Sequence, residues 1–238
     1  MTAPFAWPWF GLAAAVVILA LSFRSGARWR DTGWLAWLGV AIYMLHQFEE
    51  HGIDATGRAY AFRGFFCHSL GLDGAGVDAC PVPHSFLTAV NVGTVWIASL
   101  LSALVGPRHP AVALSAMGIP LVNTLAHVVP AVWRGVYNPG LLTALFLFAP
   151  YCLWTMTTSL RSGALTGRQA AGIVAAGVAI HAVLIGSLQM FLRGVIGEFG
   201  LVSAQVGNAF LPAAMMFAIG RGDAASQVKS CFGGRVDH

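Results

Sequence analysis

Charge is what this sequence has least of: 9% of its 238 residues are Asp, Glu, Lys or Arg, against about a quarter in an ordinary soluble domain. Together with a 57% hydrophobic content and a mean hydropathy of +0.72, that scarcity excludes a soluble enzyme and defines an integral membrane protein. The net charge of +4 is small and spread over 13 basic residues, which excludes a nucleic-acid surface and leaves the basic residues as topology signals. The expected partner is membrane lipid. Cysteine is rare as well. Of the four, Cys152 lies in an apolar run and Cys231 in the C-terminal tail, and neither has a partner spaced as a metal site. No internal repeat is present.

Seven apolar runs remain: 8–23, 33–52, 84–106, 111–133, 140–160, 170–192 and 201–219. At roughly 20 residues per crossing they use up the chain. The expected fold class is therefore all-α, a polytopic membrane bundle of about seven transmembrane helices. Residues 1–220 form one helical domain, and 221–238 ("RGDAASQVKSCFGGRVDH") form a polar cytoplasmic tail without fixed structure. An outside N-terminus puts Arg24, Arg28, Arg30, Arg108, Arg161, Arg168, Arg221, Lys229 and Arg235 in the cytoplasm and leaves Arg58, Arg63, Arg134 and Arg193 outside. The excess of positive charge inside selects N-out and C-in, and if the membrane is a bacterial inner membrane the outer side is the oxidising one. "MTAPFAWPWF" lacks a basic leader region, so the first helix is expected to be retained. The one long connection, 53–83, then faces outward. It holds Cys67 and Cys80 on the oxidising side, where they can bridge. The loop serves either as a lid over an outward-facing site or as an insertion whose "FRGFF" rests at headgroup level.

Against this apolar background stands "HQFEEH", His46 to His51. On a helix, His46, Glu49 and Glu50 fall at i, i+3 and i+4 and share a face, while His51 lies about 140° around from His46. A carboxylate in hydrocarbon must be protonated, paired or bound to a metal, unless the helix end carries it to interfacial water. The fourth run brings "NTLAHVVP", with Asn123 one turn before His127 and Pro130 loosening the helix just beyond. The third supplies Asn91, the sixth His181, and the seventh Gln205 and Asn208. Polar groups within spans face the bundle interior, so these are expected to converge on one chamber, where they orient the ligating side chains or touch substrate, with plain interhelical hydrogen bonding as the alternative for Asn91, Gln205 and Asn208.

"HQFEE", "NTLAH" and "YNPG" (Tyr137 to Gly140) resemble, in order, the HXXEE, NXXXH and YXPG motifs of bacterial HXXEE-domain membrane proteins, over residues from about 33 to 160. The resemblance implies a site in a membrane protein rather than a particular substrate. Physically, Pro139 and Gly140 make a tight turn, which either holds Tyr137 over the chamber mouth or simply starts a helix.

His46, His127 and a glutamate make a two-histidine, one-carboxylate set, with His46, Glu49, Glu50 and His127 as candidate ligands for a divalent metal, iron or zinc. Glu49, Glu50 and Tyr137 are the candidate catalytic groups. The expected function is a metal-dependent membrane enzyme acting on a lipophilic small molecule, leaning to a non-haem iron oxidoreductase because Trp, Phe and Met surround the site. Three alternatives stay open. One is a zinc hydrolase with the same ligands, and another a metal-free acid/base isoprenoid cyclase or isomerase driven by a neutral carboxyl. The third is a transporter or ligand-binding protein, against which stands the paucity of ionisable residues in the inner half of the spans.

Overall fold

The structure, a computed structural model, describes residues 6–72, 80–106 and 109–221. Arg108, Lys229, Arg235, Cys231 and the tail expected over 222–238 lie outside the described residues. Among the described residues the protein is all-α. The nine helices among these residues are α1 (Trp7–Arg24), α2 (Thr32–His51), α3 (Phe62–Ser69), α4 (His84–Val105), α5 (Pro110–Arg134), α6 (Leu141–Arg161), α7 (Gly167–Leu192), α8 (Glu198–Asn208) and α9 (Leu211–Arg221). Each expected apolar run falls on a helix, although the last is two helices bent by 41° at a break.

Local chemistry sets the helix ends. Asp31 caps α2 by accepting from the Trp34 amide at 2.7 Å. Thr166 and Gln169 form a reciprocal capping box at the start of α7. Gly135, left-handed at φ 66°, ends α5. Five helices (α1, α4, α5, α6 and α7) are long and apolar enough to cross a membrane, and α8 with α9 make a sixth if the bent pair counts as one. Helix α2 is as long, but its polar last turns lower its hydropathy. It is buried along most of its length, under α1, α4 and α6. Only a helix shielded from lipid can carry such a turn inside an apolar bundle. Around it the outer helices expose apolar side chains, such as Leu125, Val129, Val132 and Trp133 on α5, the surface that lipid covers.

The core centres on Leu35, Ile119, Phe148, Ile173 and Ile180. Helices α5 and α7 cross with the backbones of Gly118 and Gly177 in contact, leaving no room for a Cβ on either. Two stretches are π-helical, Ala89–Trp96 within α4 and Ala144–Phe148 within α6. Both flank the C-terminal end of α2, where wider turns re-aim the side chains.

Candidate metal centre and cavity

The last turns of α2, the middle of α5 and the first turn of α6 meet at one end of the bundle. There His46, Glu50 and His127, all buried, offer ligand atoms that lie within 4.8 Å of one another. His46 Nε2 is 3.7 Å from Glu50 Oε2, and His127 Nε2 is 3.5 Å from Glu50 Oε1. A tetrahedral ion with ~2.1 Å bonds spaces its ligand atoms ~3.4 Å apart, close to the two histidine–glutamate distances, and the rest of the set must close from within 4.8 Å to hold one.

The outer partners fix how each ring presents itself. The Thr143 hydroxyl donates to Glu49 Oε2 at 2.6 Å, so its oxygen accepts from His46 Nδ1–H at 2.8 Å. Asn138 Nδ2 donates to the His127 carbonyl at 2.9 Å, which turns Oδ1 to accept from His127 Nδ1–H at 2.6 Å. Both imidazoles thereby carry a proton on Nδ1 and turn Nε2 towards the carboxylate. A lone pair facing a carboxylate repels it unless a proton or a metal cation stands between them. The Asn123 amide donates to His46 Nε2 at 3.0 Å and partly fills that need. Gly140, at φ 95°, lies under both rings: a Cβ there would come within 2.7 Å of His127 Cε1 and 2.9 Å of His46 Cε1. The turn that carries it also carries Asn138.

Glu49 stands outside this set. Its oxygens accept from the Tyr137 hydroxyl at 2.9 Å, the Leu142 and Thr143 amides at 3.2 and 2.7 Å, and the Thr143 hydroxyl at 2.6 Å. A carboxylate of α2 therefore caps the start of α6, and of the adjacent glutamates Glu50 alone belongs to the cluster. Tyr137 supports Glu49 from the loop and accepts from the Ala55 amide at 3.1 Å. Burial, and after it the bond to and charge of Glu49, push its phenol above the usual range, against the opposing bond from Ala55, so it is a neutral donor. It does not line the cavity described below.

His51, expected to point elsewhere, instead reaches Glu50 Oε2 from the other side at 3.1 Å. Behind it runs an ordered series of donors. Trp96 Nε1 donates to Gln47 Oε1 at 2.6 Å and Gln47 Nε2 to Asn91 Oδ1 at 2.9 Å, while Asn91 Nδ2 lies 3.0 Å from His51 Nε2. Asn91 is thus an interhelical bonder that also faces the cavity. Gln205 and Asn208 do not join the chamber: Gln205 donates to Ser187 at 2.7 Å and Asn208 to the Ile180 carbonyl at 3.0 Å, stitching α8 and its C-terminal end to α7. Sequence reasoning missed Asn138, Thr143 and Gly140 as supports of the cluster; the signal for the first and last was their place inside "YNPG".

Beside the cluster lies a cavity of about 310 Å3, with walls from α2, α4, α5 and α7. Glu50, His51, Asn123 and His127 face it on one side and His181 from α7. Phe62, Phe65 and Phe66 of α3 form a further wall, so part of the 53–83 connection does cover the site. Helix α3 is fixed there by the Cys67–Cys80 disulfide, by Arg63 donating to the Cys80 and Val82 carbonyls at 2.6 and 2.9 Å, and by Arg134 donating to Ser69 at 3.3 Å.

A polytopic helical bundle with a buried His/Glu cluster beside an apolar cavity defines the class: a membrane protein with an internal polar site. The family model described as "Protein of unknown function with HXXEE motif" matches residues 37–155, and the chain belongs to that family. The match takes in all three motifs, which the fold brings together around His46, Glu50 and His127. No curated protein and no solved structure matches the chain.

Proposed function

We propose that the chain is a divalent-metal-dependent membrane enzyme acting on a lipophilic small molecule, with His46, Glu50 and His127 as the ligands. The observation that supports this reading is the convergence of His46, Glu50 and His127, with Thr143 and Asn138 holding both rings from behind so that each turns Nε2 to the same carboxylate, an arrangement that suits a bound cation. Rotation of the Asn123 amide would exchange its N–H for an oxygen and add a fourth donor. A divalent ion held by two histidines and one carboxylate supplies Lewis acidity, or as ferrous iron a redox centre, with coordination positions left for substrate. The chain's own part is to exclude water with the apolar wall and to fix the ligands from behind.

Between the two chemistries this arrangement favours a non-haem iron oxidoreductase over a zinc hydrolase. The base that a hydrolase would draw from the glutamate pair or its neighbour His51 is not free here. Glu49 is committed to the α6 amides, and His51 to Glu50 and Asn91. We further propose that the cluster end of the bundle faces outward, as the distribution of arginine implies. The test is to strip purified protein with a chelator and reload separate samples with ferrous iron or zinc. Each is then incubated with a lipid extract, with a reductant and oxygen supplied, and products are followed by mass. Turnover restored by iron alone, with products changed in oxygen or hydrogen content, supports the oxidoreductase; turnover restored by zinc alone, with cleavage products, replaces it with the hydrolase.

A further inference from the structure

Two polar groups in the cavity have no hydrogen-bond partner among the described residues. Tyr43, buried on α2 one turn before His46, lines the cavity, and its hydroxyl meets no acceptor there. His181 on α7 turns Nδ1 to the Gly177 carbonyl at 2.8 Å, which accepts only. Its proton is therefore on Nδ1, which leaves the far nitrogen, Nε2, as an acceptor on a ring that lines the cavity beside Ile180 and Leu184. Polar atoms that face a cavity are satisfied by what fills it, and a donor and an acceptor lining one largely apolar chamber suit a ligand that serves both. An alkane serves neither. A ketone or carboxylate can only take the Tyr43 proton, and an ammonium can only donate to His181. A hydroxyl does both, and the apolar remainder of the chamber, with the phenylalanines of α3, suits a hydrocarbon chain.

We infer that the cavity binds a lipophilic alcohol, its hydroxyl accepting from Tyr43 and donating to His181 Nε2 and its hydrocarbon lying against α3. The inference rests on the proposed function for why a ligand should lie beside the His/Glu cluster, but it names neither Tyr43 nor His181 as a metal ligand, so the two can fail separately. The test uses the full chain in lipid nanodiscs and a dodecanol carrying a diazirine on its chain. Photolabelled residues are mapped by mass spectrometry, and labelling is competed with dodecanol and with dodecane. The expected result is labelling of α3 and of the cavity faces of α5 or α7, displaced by dodecanol at roughly ten-fold lower concentration than by dodecane. Tyr43→Phe and His181→Phe should each erase most of that preference, and His181→Gln, which keeps an acceptor oxygen, should restore part of it. Equal displacement by alcohol and alkane in the wild type overturns the inference, as does a preference that survives both phenylalanine variants, the outcome expected if these groups hold only water. Chelator treatment separates the two claims. Alcohol-selective labelling that persists without metal supports this site whatever the fate of the metal centre, whereas a metal-loaded protein that labels without selectivity refutes the alcohol site and leaves the metal centre standing.

Discussion

Two adjacent glutamates in one helical turn do different work, because one points at the start of α6 and the other at two imidazoles. Glu49→Gln puts an amide NH2 among the Leu142 and Thr143 amide donors, leaving donors facing donors at a cost of about 1–3 kcal/mol. Thermal unfolding should come earlier by several degrees while metal content stays at the wild-type level. Glu50→Gln should instead abolish metal binding, since a neutral amide is a poor ligand, and unfold no earlier than chelator-treated wild type. A common response of the two variants would refute the division of roles. Gly140 supplies a sharper probe. Alanine at φ 95° costs about 1–2 kcal/mol in backbone conformation alone, and its Cβ must displace both histidine rings. Gly140→Ala is therefore expected to lower the unfolding temperature by roughly 4–8 °C and to lose most bound metal. Wild-type metal content in that variant would show that the rings tolerate displacement and that the turn is not their seat.

At the scale of elements, the apolar runs were legible because a span needs a length that few other structures require. The breaks were less so. Nothing in hydropathy marks the π-helical stretches over Ala89–Trp96 and Ala144–Phe148, which depend on how neighbouring helices seat Asn91 and Phe148. The same limit hid the roles of His51 and Glu49: a helical-wheel angle gives the direction of a side chain's root, while the tip goes where partners on other helices draw it. Gln205 and Asn208 show the converse, polar residues at the expected depth that bond to the neighbouring helix instead of the cavity. Helix α3 is the element held most by covalent chemistry. The Cys67–Cys80 bridge closes a loop of separation 13, for which loop entropy gives about 3 kcal/mol. The double Cys→Ser variant should show faster amide exchange over Phe62–Ser69, with α5 and α7 unchanged. Faster exchange spread evenly over the bundle would mean that the bridge stabilises the whole fold and not the cavity wall.

For the whole molecule, the three motifs that lie far apart in sequence meet at one end of the bundle, and the surrounding helices turn apolar faces outward. The sidedness rests on arginine distribution. A reporter fused after Gly220 should read as cytoplasmic and one inserted near Gly74, in the stretch outside the described residues, as external; reversal of both would put the site on the cytoplasmic face. The measurement that bears most directly on the central claim is the metal content of the purified full chain, wild type beside His46→Ala and His127→Ala, with helicity checked by circular dichroism. The expected result is about one divalent ion per wild-type chain and less than about a tenth of that in either variant, at unchanged helicity. A wild-type protein that takes up neither iron nor zinc, or alanine variants that hold as much as the wild type, would contradict it.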